Sequence, residues 1–99
     1  MSDIGVEQEE IAFEGDMTIY NAESFKQDLF AVIEKKKNVN VDLTDVSEFD
    51  TAGLQALLIG KSYALENEIE LKLCAASEPV SEVFKLYGMS ELLESHHES

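Results

Sequence analysis

The side chains able to do chemistry are few, and their spacing restricts what they can do. Acids gather at Asp42, Asp45, Glu48 and Asp50, directly ahead of Thr51. Such carboxylates could act as general acid and base, or could line a phosphoacceptor pocket. A phosphoacceptor pocket needs paired acids after the first strand and a lysine late in the sheet. Here the first strand ends Phe13-Glu14-Gly15-Asp16, and no suitably placed lysine follows Leu73. A chain of 99 residues also gives no sign of a cleft for a glycan. His96 and His97 fall in a tail, 94–99, that reads as frayed, so a Ser-His-Asp or Cys-His mechanism has no base and a solvated tail outweighs a metal site. Cys74 ends an apolar strand and reads as a small buried hydrophobe. Gly15 and Gly53 make neither a GxGxxG nor a P-loop, and Tyr20, Tyr63 and Tyr87 read as shields for core edges. No catalytic residue, metal or cofactor is assigned, and the chain is not read as an enzyme.

What remains is a hydroxyl. Thr51 stands at the mouth of a helix, where unpaired backbone N–H groups and the positive dipole end favour an oxygen or an anion. Asp50 is an alternative cap at the same place. Gly53 removes a Cβ from the first turn, which lets another surface come close.

The elements that hold this hydroxyl follow from periodicity. Val6, Ile11 and Phe13, then Met17-Thr18-Ile19, predict two strands around a Gly15-Asp16 turn. Asn21 suits an N-cap for a helix whose stripe is Phe25, Leu29, Val32 and Ile33, closed by Lys35, Lys36 and Lys37. Val39, Val41 and Leu43 alternate as a strand, and Thr44 to Asp50 reads as a polar loop anchored by Val46 and Phe49. From Ala52 to about Glu66 the pattern is helical, with Leu54, Leu57, Leu58, Lys61 and Leu65 on one side. Ile69, Leu71 and Leu73 make another strand. Pro79 opens a helix with the stripe Val80, Val83, Phe84 and Tyr87, stopped by Gly88, before a short turn at Leu92 and Leu93. The expectation is one α/β domain over 1–99 with a folded core of about 6–93. It has a small mixed sheet of about four strands and three to four helices packed on it.

Charge narrows the partners. Twenty-one acids against seven bases leave a formal charge of −14, which opposes any grip on nucleic acid or anionic lipid. At 44% hydrophobic residues, the chain is too apolar for an acidic disordered tail. No stretch approaches the ~20 apolar residues of a membrane span, the N-terminus lacks a secretory signal pattern, and a cytoplasmic location is expected.

The stretch Val41 to Leu58 carries a resemblance. Asp42-Leu43-Thr44, then Asp50-Thr51-Ala52-Gly53-Leu54, is similar in wording and spacing to the signature of STAS domains, the fold of bacterial anti-sigma factor antagonists. Gly15-Asp16-Met17-Thr18 resembles the family's early Gly-Glu-Leu turn, with Asp16 in place of glutamate. Glu78-Pro79-Val80, Val83-Phe84 and Tyr87-Gly88-Met89 resemble its closing helix, so the likeness spans residues 9 to 93.

That resemblance implies a non-catalytic regulatory module acting by protein–protein contact. The hydroxyl residue after the aspartate, here Thr51, is the one a partner kinase phosphorylates in the family. The implied partner is an anti-sigma factor or serine/threonine-kinase-like protein, meeting a surface around Asp50, Thr51, Gly53, Leu54 and Gln55, with Asp42 nearby and Lys61 further along the helix. Threonine replaces the usual serine, and Ala52 replaces a second serine, wording closer to other STAS groups. These include an adaptor bound to the ATPase subunit of a lipid-transport ABC complex and proteins encoded alongside chemotaxis components, without phosphorylation. A basic partner would associate faster with this acidic chain, and added salt would slow it.

Overall fold

β1, Gln8–Met17, is the longest departure from the sequence-based expectation, because it runs straight through the predicted turn. The computed structural model describes residues 8–93; Val6 and the two histidines lie outside the described residues. β1 pairs in parallel with β2, Asn38–Phe49. The pairing is Ala12 with Asp42 and Glu14 with Asp45, then Gly15 with Val46 and Asp16 with Glu48, so β2 carries one extra residue at each of two bulges. Gly15, at φ +80°, bends β1 beside the second bulge, in backbone space that side chains rarely enter. The Gly15-Asp16 signal is therefore an irregularity inside one strand, and the described sheet has three strands where about four were expected.

Crossing helices make the sheet parallel, with no antiparallel pairing among its described strands, where a mixed sheet was expected. α1, Ala22–Ile33, joins β1 to β2, and α2, Thr51–Glu66, joins β2 to β3, Leu71–Ala76, in the order β1-β2-β3. β3 ends opposite Leu43, so the later part of β2 has a partner only in β1. This is why Thr44 to Phe49 looks like a polar loop: Thr44, Asp45, Ser47 and Glu48 are exposed, yet the segment is strand, pinned by buried Val46. Cys74 is the extra residue where β3 slips past β2, and it is half-buried rather than sealed in the core.

The helices cover the apolar side of the sheet, where Val39, Val41, Leu43, Leu71 and Leu73 are buried. α1 contributes Phe25, Leu29 and Ile33, with Phe25 meeting Phe13 edge to face at 5.7 Å. The buried line of α2 is Gly53, Leu54, Ala56, Leu57, Gly60 and Ala64, whereas Leu65, expected inside, is 76% exposed. Small residues won the inward positions because α1 lies close: a Cβ on Gly60 would stand 2.5 Å from Leu29 Cδ2. Asn21 occupies the N-cap position of α1 without capping it; its side chain accepts from Thr18 N–H and donates to the Asp16 carbonyl. Lys35 and Lys37 lie beyond the helix end and pair with Glu9, and the Lys35 hydrogen bond holds the Glu9 carboxyl below its ordinary value.

α3, Glu78–Leu86, carries Pro79 in its first turn and buries Val80 and Phe84, the latter stacked on Phe49. It ends at Tyr87 and Gly88, where Gly88 N–H reaches the Lys85 carbonyl at 3.0 Å and Met89 N–H the Phe84 carbonyl at 2.8 Å. Gly88 has φ +70°, the left-handed stop the sequence predicts. A 3₁₀ turn, Ser90–Leu92, follows, and Leu93 is buried beside Leu73.

Candidate functional site

The start of α2 is built around a division of labour between two neighbouring residues. Asp50, in extended backbone, is the N-cap: Oδ1 accepts from Ala52 N–H at 2.9 Å and from Gly53 N–H at 3.2 Å. Its other oxygen, Oδ2, accepts from Ile19 N–H at 3.2 Å, which ties the β1–α1 turn to the helix start. Thr51 is thereby relieved of capping. It is the first helical residue, and its side chain is exposed. Its Oγ1 lies 3.3 Å from the hydroxyl of Tyr87, at the C-terminal end of α3, with either group able to donate.

Beneath Thr51 the turn is tightly seated. A Cβ on Gly53 would lie 2.5 Å from the Met17 carbonyl oxygen and 2.8 Å from Phe49 Cε1. The surface that Gly53 admits is therefore the protein's own strand end, not another polypeptide. Leu54, 3% exposed, belongs to the core, so neither residue offers contact, and both hold the turn in place. Gln55 faces solvent. Lys61 points elsewhere, its ammonium donating to the Leu71 carbonyl at 2.9 Å.

Asp42 is not gathered into this site. It precedes Phe49 by seven positions on β2, roughly 20 Å of extended chain at ~3.3 Å per residue. Its carboxylate accepts from the Thr44 hydroxyl at 2.6 Å and from Thr44 N–H at 2.9 Å. The hydroxyl bond, then the amide bond, hold Asp42 below its ordinary carboxyl value.

What sequence reasoning missed is the set of exposed apolar side chains on the two segments that meet the helix start. Tyr20 is 94% exposed rather than a core shield, and Ile19 stands out beside it. On the other side, Leu86 and Tyr87 are exposed at the end of α3. Tyr63 does behave as a shield, stacked on Phe30 at 4.5 Å. An open groove lies beside Asp50, lined in part by Asp16, Thr18, Tyr20, Glu48 and Pro79 at the start of α3. Three carboxylates in one groove give it negative character. Among the described residues, no group of three or more His, Cys, Asp and Glu is arranged to hold a metal, and no helix is long and apolar enough to cross a membrane.

The model of the STAS domain family matches residues 7–99. The chain belongs to the STAS-domain family. Its backbone is similar to the structure of the anti-sigma factor antagonist SpoIIAA in its unphosphorylated form. That match has a TM-score of 0.72 at 18% identity, and covers 97% of this chain and 84% of the other. At such identity the likeness is one of fold. The STAS fold here is an α/β layer that presents the first turn of α2, with Thr51 outermost, between two loops bearing exposed Tyr20 and Tyr87.

Proposed function

We propose that this STAS protein is a non-catalytic regulatory docking module of the anti-sigma-factor-antagonist type, with Thr51 as its switch. The observation that carries the reading is that Thr51 is free of structural duty. Asp50 caps the helix and holds the turn bearing exposed Ile19 and Tyr20, and the exposed Thr51 hydroxyl stands beside Tyr87. Exposed apolar side chains of this kind, rimmed by acids, suit a protein partner with a basic, partly apolar face. The partner class is an anti-sigma factor or a serine/threonine-kinase-like protein, in the cytoplasm. Asp50, Thr51 and Gln55 make the direct contact, while Gly53 and Leu54 support them from below.

In the modification step, the γ-phosphoryl group of ATP passes to Thr51 Oγ1, the hydroxyl proton goes to a base on the kinase, and ADP leaves. The product carries about −1.5 to −2 added charge at neutral pH. It stands beside Asp50 on a protein of formal charge −14, and its bulk and tightly held water break the apolar part of the contact while the fold is kept. A discrimination of tenfold to a hundredfold needs only about 1.4 to 2.8 kcal/mol of differential binding.

Two measurements test this. Incubation with the candidate kinase and ATP is expected to place one phosphate on Thr51, read by peptide mass spectrometry. Partner affinity is expected to fall at least tenfold for Thr51→Glu relative to Thr51→Ala. Equal affinities, with Thr51 unlabelled in a complex that still forms, would overturn the switch and leave a constitutive adaptor such as an ABC-ATPase subunit.

A further inference from the structure

A phosphate on Thr51 meets a helix end where the amides of Ala52, Gly53 and Leu54 are already engaged. Asp50 holds the amides of Ala52 and Gly53 through one oxygen and that of Ile19 through the other. The group touching Thr51 Oγ1 is the Tyr87 hydroxyl, 3.3 Å away. Tyr87 is fixed there as the C-cap of α3, by its own N–H to the Val83 carbonyl and by the left-handed Gly88 that follows. It is 49% exposed, which leaves solvent space beside the phenol.

In the unmodified chain either hydroxyl can donate. Esterification removes the threonine proton, so only the tyrosine can donate across this contact. Phosphate oxygens are stronger acceptors than the hydroxyl they replace. We infer that Tyr87 is the positioning residue of the Thr51 switch: its hydroxyl donates to the phosphate on Thr51 and draws it over the end of α3, away from the Asp50 carboxylate. This rests on Thr51 being the modified residue. The modified and unmodified faces then differ in shape as well as charge, because the phosphate covers the tyrosine edge that the unmodified face displays. Of the charged groups, Asp50 directly precedes Thr51 and lines one groove with Asp16 and Glu48, and Lys85 precedes Tyr87 by two positions in the last turn of α3.

The experiment installs the phosphate chemically. Full-length chain is made by semisynthesis with phosphothreonine at position 51, once with Tyr87 and once with Tyr87→Phe. The ³¹P chemical shift of each is followed from about pH 4 to pH 8, across the second phosphate ionisation. With Tyr87 present, that ionisation is expected about 0.5 pH unit lower, because the phenol stabilises the dianion. Coincident curves, or a shift in the opposite direction, overturn the inference. Since no kinase is used, that failure leaves the phosphorylation reading standing, whereas an unlabelled Thr51 in the kinase experiment removes that reading without touching the ³¹P comparison. Tyr87→Phe keeps the ring, so the unmodified variant is expected to melt with the parent.

Discussion

The inner and outer sides of the first turn of α2 belong to the same few residues, yet they are built to opposite ends. Inside, the Asp50 carboxylate takes three backbone N–H groups, Gly53 sits against the Met17 carbonyl and the Phe49 ring, and Leu54 is sealed in the core. Outside, Thr51 has one hydroxyl neighbour, and Gln55, Tyr20 and Ile19 face water. A rigid inner side fixes where the hydroxyl stands, and an uncommitted outer side leaves it available for chemistry or contact. Had Thr51 capped the helix itself, any modification would have removed a structural bond. With Asp50 in that role, position and reactivity are separated.

Breaking the inner side is expected to have the largest effect. Gly53→Ala forces a methyl group onto backbone and an aromatic ring, and should cost about 2–3 kcal/mol in a urea titration. A cost below ~0.5 kcal/mol would mean the turn can shift, and the contrast would fail. Asp50→Ala comes next, at about 1–2 kcal/mol by the same measurement, since it uncaps α2 and releases Ile19; Asp50→Asn should recover part of that loss.

A smaller effect is expected at Asp42, where the carboxylate is engaged with Thr44 and lies outside the site. Because the folded Asp42 ionises below its ordinary value near 3.8, its stabilisation is present above that pH and lost as the pH falls through the folded value. Thr44→Val should therefore lower stability by no more than about 0.5 kcal/mol at pH 7, given the exposure of the group, with the deficit fading in acid. A deficit that does not change with pH would assign it to packing instead. Smallest of all, Thr51→Val should leave thermal unfolding within about 0.5 kcal/mol of the parent while abolishing the phosphate acceptor. A large loss there would show that the hydroxyl carries structure after all.

The legible parts of the sequence were those with a single local cause. The three helices show in their apolar spacing, and the α3 stop shows in Gly88, because one left-handed residue suffices to end a helix. β1 reads as two strands in the sequence because Gly15-Asp16 has the composition of a turn, while its strand geometry comes from pairing with β2 more than 30 positions later. Thr44 to Phe49 reads as a loop for the complementary reason. Beyond Leu43 the strand has a neighbour on one edge only, and its exposed side chains are polar. Leu65 illustrates a third case: apolar spacing favoured it for the core, but the close approach of α1 reserved the inward positions for Gly60 and Ala64.

At the site, residue types and spacing alone put an aspartate and a threonine at the mouth of a helix on an acidic α/β chain, because capping preference and periodicity act over a few neighbouring residues. Which of the two caps, and which stays exposed, was decided only in three dimensions. Both side chains can accept an amide proton, but only Asp50 also reaches Ile19, 31 positions away. Tyr87 was likewise invisible as a partner of Thr51, 36 positions apart, until α3 packed over the sheet and its stop turned the phenol toward α2. Contacts between residues so distant along the chain depend on how whole elements stack, and no local pattern encodes that.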